Sequence, residues 1–373
     1  MTDPKTDPLA HLTAHDVALW LDDLDRRDLE SGELSSLIHA GKITGITSNP
    51  TIFQAAIGDG TGPYRGQLEE LRRQGADVDQ ALQALTTHDV RQACDLLRPT
   101  YEASDGIEGY VSVEVSPLVA HDTAATLTEA RRLRQLVDRP NVLIKVPATV
   151  EGVRALSLLL AEGISVNMTL LFSLRRYREV IHAYFDGLEY AQAQGRPLAP
   201  IASVASFFVS RVDTAVDARL AQQRGPTQAA LQGRAALANA RMAYHLYEKA
   251  FSTRRWQRLH AAGARPQRPL WASTATKNPH YSDTRYVTGL LAPGTITTMP
   301  RRTLDAVADH AAFPPRGVRG TYRDSAQVLR RLQGAGIAYD EVMAALEKDG
   351  LERFADSFTA LRAVVHSALQ SQP

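Results

Sequence analysis

With one cysteine in 373 residues, Cys94, the chain has no internal disulfide and no cysteine-based zinc site, a usage that suits a reducing compartment. Nor does charge of one sign prevail. The 42 Lys plus Arg against 41 Asp plus Glu give a formal net charge of +1, so no overall field draws the protein to nucleic acid or to an anionic membrane. Any phosphate binding must come from a local cluster. No run of about eighteen apolar residues occurs that could cross a bilayer. The segment Met1 to Leu12, with Asp3, Lys5, Asp7 and two prolines, lacks the apolar stretch of a signal peptide. Internal repeats and low-complexity tracts are missing too, and Gly58, Gly60 and Gly62 neither follow a strand nor open a helix, which disfavours a nucleotide loop. A soluble cytoplasmic protein is expected, with neither nucleic acid nor membrane as partner. A homo-oligomer stays open.

What the chain does have is 44% hydrophobic and 22% charged residues, enough for one large core or two smaller ones. Short apolar or β-branched runs recur between helical stretches: Val17 to Leu21, Ile43 to Thr47, Val111 to Val115, Val142 to Val146, Ser165 to Leu171, Ile201 to Val209, Leu270 to Thr274 and Thr295 to Met299. Most are continuous rather than alternating, as in strands covered on both faces of a parallel sheet. The faces formed by Val78, Leu82 and Leu85, then Val90, Ala93 and Leu97, read as helix, and Asp122 can cap a helix through Val137. Eight strands alternating with helices predict an α/β fold, a single (β/α)8 TIM barrel spanning residues 1–373, with its strands at about 17–300. Roughly sixty residues between the second and third strands, and as many between the sixth and seventh, require inserted helices. Residues 301–373 are read as closing helices plus a C-terminal helix packed on the barrel, since Leu351, Phe354, Phe358, Leu361 and Val365 keep helical spacing. Gly58 to Pro63 and Ala264 to Arg268 are read as surface loops.

Several of these strands carry a polar residue where an apolar one would pack better. Asp22 follows Val-Ala-Leu-Trp-Leu, Asn49 follows Gly-Ile-Thr-Ser, Glu114 sits in Val-Ser-Val-Glu-Val-Ser and Lys145 in Val-Leu-Ile-Lys-Val-Pro. Asn167 and Thr169 share one face of the fifth strand because side chains alternate. Near the C-terminal ends of barrel strands such residues converge on one mouth, where active sites of this fold lie. Lys145 stands out, since lysine is seldom fully buried. A salt bridge to Glu114 or Asp22 that closes the barrel is one reading. The other is a desolvated amine, unprotonated often enough to attack a carbonyl and form an imine, which then acts as an electron sink while a neighbouring carbon–carbon bond breaks. Asp22 and Glu114 would supply the two carboxylates that such chemistry needs for proton transfer.

A second cluster closes the sixth strand. In Ser206-Phe-Phe-Val-Ser-Arg211 an arginine leaves the strand five residues after a serine, an arrangement that can fork onto a phosphate beside helix N-terminal amides. Its alternative is an ordinary first-turn pairing of Arg211 with Asp213. Lys277, in Ala-Ser-Thr-Ala-Thr-Lys-Asn-Pro after the seventh strand, is a plausible companion, as phosphate sites in this fold commonly lie near the seventh and eighth strands. The sequon Asn167-Met-Thr169 falls in a strand read as buried and is taken as chance.

Taken together these segments resemble the transaldolase family. Thr47-Ser-Asn-Pro-Thr-Ile-Phe53 and Asn141-Val-Leu-Ile-Lys-Val-Pro-Ala-Thr149 are similar to its two signature segments, and Gly163-Ile-Ser-Val-Asn-Met-Thr-Leu-Leu171 to a third. The resemblance runs from about Ala18 to Pro300. It implies that Lys145 is the imine lysine, Asp22 the acid/base for the hydroxyl proton and Glu114 a proton shuttle acting through a water near Thr169. Asn49 and Asn167 would hold the dihydroxyacetone hydroxyls, and Ser206, Arg211 and Lys277 the phosphate. Phe208 matches a position that is phenylalanine in transaldolases and tyrosine in their fructose 6-phosphate aldolase relatives. Phe207 stands where short transaldolases usually have proline, and Lys277 where they have arginine; both resemble the longer bacterial branch. The implied activity is transfer of a dihydroxyacetone unit from a ketose phosphate, sedoheptulose 7-phosphate or fructose 6-phosphate, to an aldose phosphate, glyceraldehyde 3-phosphate or erythrose 4-phosphate, in the pentose phosphate pathway. No metal or organic cofactor is implied. The competing readings are an aldolase that releases free dihydroxyacetone and a non-catalytic barrel that only binds sugar phosphates.

Overall fold

The computed structural model describes residues 7–58, 62–223, 225–315 and 317–370. Residues 59–61 of the predicted loop, Gly60 among them, and residues 1–6 of the N-terminal segment lie outside the described residues. The eight strands are β1 (Val17–Leu21), β2 (Gly45–Ile46), β3 (Tyr110–Glu114), β4 (Val142–Pro147), β5 (Val166–Leu171), β6 (Ser203–Phe208), β7 (Arg268–Ala272) and β8 (Thr295–Met299). Each pairs in parallel with the next, and β8 pairs with β1 to close the barrel. Every residue of β1, β4, β5, β6 and β8 is buried, as continuous apolar runs require when side chains fill the barrel on one face and meet helices on the other.

β1 and β8 match the predicted spans, whereas β2 and β7 differ. The ladder reaches β2 from both sides only at Gly45 and Ile46, although Thr44 and Thr47 still donate backbone hydrogen bonds to Leu19 and Leu21 of β1. Gly45 faces Trp20, whose ring would lie 2.4 Å from a Cβ at that position. The segment Ala264 to Arg268 is not a surface loop: Ala264 and Gln267 are buried and Arg268 opens β7. Its guanidinium meets Glu108 Oε1 (2.5 Å) and the carbonyls of Gly294 and Thr295, so a charged residue beginning a strand is satisfied at the bottom of the barrel.

Helices fill the long gaps. Between β2 and β3 run Pro50–Ile57, Arg65–Arg73 and Val78–Ala103, the last opened by an Asp77/Gln80 capping box and burying Leu82, Leu85, Val90, Ala93 and Leu97. Asp122 caps Thr123–Val137 by accepting from the Ala125 amide. After β6 come Ser210–Gln223, Pro226–Ala229, Ala235–Ala250 and Arg254–Ala261. Beyond β8 lie Arg301–His310, Tyr322–Gly334 and the 32-residue C-terminal helix Tyr339–Gln370, in which Leu351, Phe354, Leu361 and Val365 are buried and Phe358 half-buried. Among the described residues no helix is long and apolar enough to cross a membrane.

Candidate active site

Parallel register brings the charged strand residues together. Glu114 pairs with Lys145 across β3 and β4, Lys145 with Asn167 across β4 and β5, and Pro147 with Thr169. Lys145 is 4% exposed, and its Nζ donates to the Ser48 carbonyl (2.9 Å) and lies 3.1 Å from Glu114 Oε2. The ion pair of the structural reading is therefore present. Lys145 also lines a cavity of about 260 Å³ at the C-terminal mouth, with Asp22, Asn49, Thr169, Ser206, Phe208, Arg211 and Lys277. A larger cavity of about 500 Å³, between Val78–Ala103, Thr123–Val137 and the C-terminal helix, reaches Glu114 from the other side, but lysine and histidine are absent from its described lining. Of the two, only the smaller is lined by lysine among the described residues, Lys145 and Lys277.

Glu114 and Asn167 stand behind that cavity rather than in its lining. The Glu114 side chain is only 3% exposed, and neither carboxylate oxygen accepts a well-directed hydrogen bond from a protein donor, although Lys145 is within ion-pair distance. Burial pushes its pKa up to about 7; Lys145 opposes the shift and the Asp22 charge adds to it. Thr169 Oγ1, fully buried, is likewise without a protein partner, so these atoms are free to hold a reacting hydroxyl or a water. Asn167 is tied on both sides: Nδ2 donates to Ser112 Oγ (3.0 Å) and Oδ1 accepts from Ser206 Oγ (2.7 Å). Ser206 thus spends its proton on Asn167, leaving its oxygen lone pairs toward the cavity.

Asp22 is held at the end of β1 by its amide donating to Met299 (2.8 Å) and by Thr47 Oγ1 donating to Oδ1 (2.7 Å), with Thr298 Oγ1 2.7 Å beyond. Asn49 caps Pro50–Ile57 through Oδ1, accepting from the Ile52 amide, so its amide nitrogen is the group left for a ligand hydroxyl. Sequence reasoning missed Thr47 and Thr298 as the residues that orient Asp22; a threonine in a signature segment and two adjacent threonines in β8 were the available signal.

Arg211, at the start of Ser210–Gln223, forms no ion pair among the described residues. Asp213 instead accepts from the Ala236 amide (2.8 Å) and Tyr286 hydroxyl (2.9 Å), which removes the pairing alternative. The guanidinium lies 5.6 Å from the Phe208 ring, its Nη1 is buried without a hydrogen-bond partner, and burial with the nearby Arg353 charge lowers its pKa. Lys277 is shifted down by burial and by Arg302 and Arg211. Neither cation forms an ion pair among the described residues, although the Asp22 charge acts on both, so this end of the cavity keeps a positive character suited to a dianion. Phe354 of the C-terminal helix also lines the cavity, 5.7 Å from Lys145 Nζ measured to the ring centroid. Sequence reasoning assigned it to helix packing alone.

The family model described as transaldolase/fructose-6-phosphate aldolase matches residues 19–365. Among curated relatives, a transaldolase of Acidothermus cellulolyticus is 54% identical over 98% of each chain. A transaldolase of Thermobifida fusca is 52% identical over 95% of this chain and 96% of its own. Transaldolase 1 of Streptomyces coelicolor is 52% identical over 98% and 95%.

Proposed function

The chain belongs to the transaldolase/fructose-6-phosphate aldolase family and is an enzyme of the transaldolase kind, and on that premise we propose that it transfers dihydroxyacetone between sugar phosphates through an imine on Lys145. The observation that carries the proposal is a buried lysine that opens into a cavity ringed by carboxylate, amide and cationic groups. The ketose carbonyl of sedoheptulose 7-phosphate or fructose 6-phosphate condenses with Nζ and releases water, with Glu114 passing the protons through a water beside Thr169. Asp22 takes the proton of the hydroxyl next to the scissile bond. That carbon–carbon bond breaks, its electron pair moves toward the iminium nitrogen, and an aldose phosphate leaves. The three-carbon unit, still on Lys145, adds to glyceraldehyde 3-phosphate or erythrose 4-phosphate, and water frees the product ketose.

Asn49 and Asn167 position the three-carbon unit, Asn167 either directly or through Ser206, with which it shares a hydrogen bond. Arg211 and Lys277 bind the phosphate, and Ser206 lines that end of the cavity. Lysine acts there as a point charge without arginine's planar fork, so orientation falls mainly to Arg211. The single buried cysteine suits a cytoplasmic setting within the pentose phosphate pathway. Incubation with fructose 6-phosphate and borohydride tests the proposal: the adduct should map to Lys145, and an adduct elsewhere, or none while turnover continues, would refute it.

A further inference from the structure

The roof of the cavity comes from a segment about two hundred residues distant from the lysine in sequence. The C-terminal helix is held at several points. At its start the Tyr339 hydroxyl accepts from the Leu174 amide (3.2 Å) and donates to Asn239 Oδ1 (2.6 Å). Near its middle Ser357 Oγ meets Thr51 Oγ1 (2.8 Å), a cavity residue, and further on Arg362 pairs with Asp79. The helix also passes close to β5 at Gly350, where a Cβ would sit 2.9 Å from Leu170 Cδ2 and 3.7 Å from Arg211 Nη1. Leu170 reaches that position because β5 shifts register between Met168 and Leu171, with Leu170 at φ 58°. A left-handed leucine in a strand is costly and persists only where surrounding packing fixes it. One helical turn beyond Gly350 stands Phe354, 4% exposed, facing Lys145.

From this arrangement we infer that Phe354 is a positioning residue for the reaction, keeping water from the three-carbon intermediate on Lys145 and so favouring transfer over release. The inference rests on the lysine-imine reading. After cleavage the enamine has two fates. It can attack an acceptor aldehyde, or it can take a proton at carbon; the resulting imine then adds water, its carbon–nitrogen bond breaks, and dihydroxyacetone leaves with the lysine amine restored. The water consumed balances the water released when the imine formed. A phenyl ring has no proton to give, and this one borders the cavity beside Lys145 Nζ on the side that the C-terminal helix covers.

The test is the ratio of free dihydroxyacetone to transferred product, with fructose 6-phosphate as donor and erythrose 4-phosphate as acceptor. Phe354→Ala should raise that ratio about tenfold, and Phe354→Leu, which restores apolar bulk, should return most of the way. Gly350→Ala, which pushes the helix off Leu170, should shift the ratio in the same direction by a smaller factor. Borohydride trapping on Lys145 should persist in all three, which shows that the barrel is folded and the imine still forms. An unchanged ratio in Phe354→Ala with trapping intact would overturn the inference. Absence of trapping in the unmutated protein would instead refute the imine reading beneath it.

Discussion

Arg211→Ala separates phosphate binding from chemistry. Its guanidinium is half-buried, has no carboxylate partner among the described residues and keeps Nη1 buried without an acceptor. Its desolvation is therefore already met in the folded protein, and a phosphate oxyanion recovers the full interaction. A hydrogen bond to a charged group contributes about 1.5–3 kcal/mol, so loss of one such contact should lower kcat/KM for glyceraldehyde 3-phosphate by roughly 10- to 150-fold at ~1.4 kcal/mol per decade. For unphosphorylated glyceraldehyde, with donor saturating, the change should stay within about threefold, because no phosphate contact exists to lose. Stability should move the other way: removing an unpaired, partly desolvated cation should leave the urea midpoint unchanged or raise it. Steady-state kinetics on the two acceptors, with denaturation of both proteins, completes the assay. Equal losses for the two acceptors, or a variant destabilised by about 2 kcal/mol or more, would assign Arg211 a structural role.

Lys145→Arg should abolish both activity and the borohydride adduct, because guanidinium stays protonated and cannot form an imine; retained turnover would be decisive against it. Glu114→Gln should lower kcat by about 10²- to 10⁴-fold while circular dichroism stays native. Since Glu114 is raised from 4.5 to about 7 in the fold, its contribution to stability is present below its unfolded pKa and lost as pH rises through 7. Relative to Glu114→Gln, the unmutated protein should thus lose stability across that window, by at most ~3 kcal/mol, as urea denaturation at both ends can establish. With fructose 6-phosphate alone the unmutated protein should release little dihydroxyacetone and Phe208→Tyr more, because a tyrosine hydroxyl can help hold water at the intermediate; product analysis decides, and steady release at the transfer rate would favour the aldolase reading.

Much of the barrel was legible because its strands are buried on both faces, which writes them as short continuous apolar runs. β1 and β8 end where the sequence expected, and the Asp122 cap and the Leu351 to Val365 face fell on real helices. The errors have physical causes. β2 is short because both neighbours pair with it at only two residues, a property of closure that no local pattern carries. β7 begins early because Arg268 finds Glu108 160 residues away, so a charge that read as loop is neutralised inside the fold. Within the site, Asp22, Glu114 and Lys145 announced themselves as charges in apolar strands. Ser48 lies in a signature segment, but it holds Lys145 through its backbone carbonyl, which no side-chain type marks, and Phe354 looks like any other core residue of an amphipathic helix.

The Lys145–Glu114 pair is where the structural and the chemical readings meet, and its proton equilibrium separates them. A bridge kept for stability gains most when its carboxylate is held ionised, with a pKa well below the free value, by its cation and by further donors. Glu114 has the cation at 3.1 Å yet is raised, because burial and the charge of Asp22 outweigh it and its oxygens lack other well-directed donors. A buried pair with that balance adds little to folding, since an apolar pair of similar volume would do as well or better. At neutral pH, however, a carboxyl raised to about 7 both gives and accepts a proton with little free-energy difference, which is what repeated imine formation and hydrolysis ask of a shuttle. The same burial that weakens the pair as a brace therefore suits it to proton transfer beside Lys145.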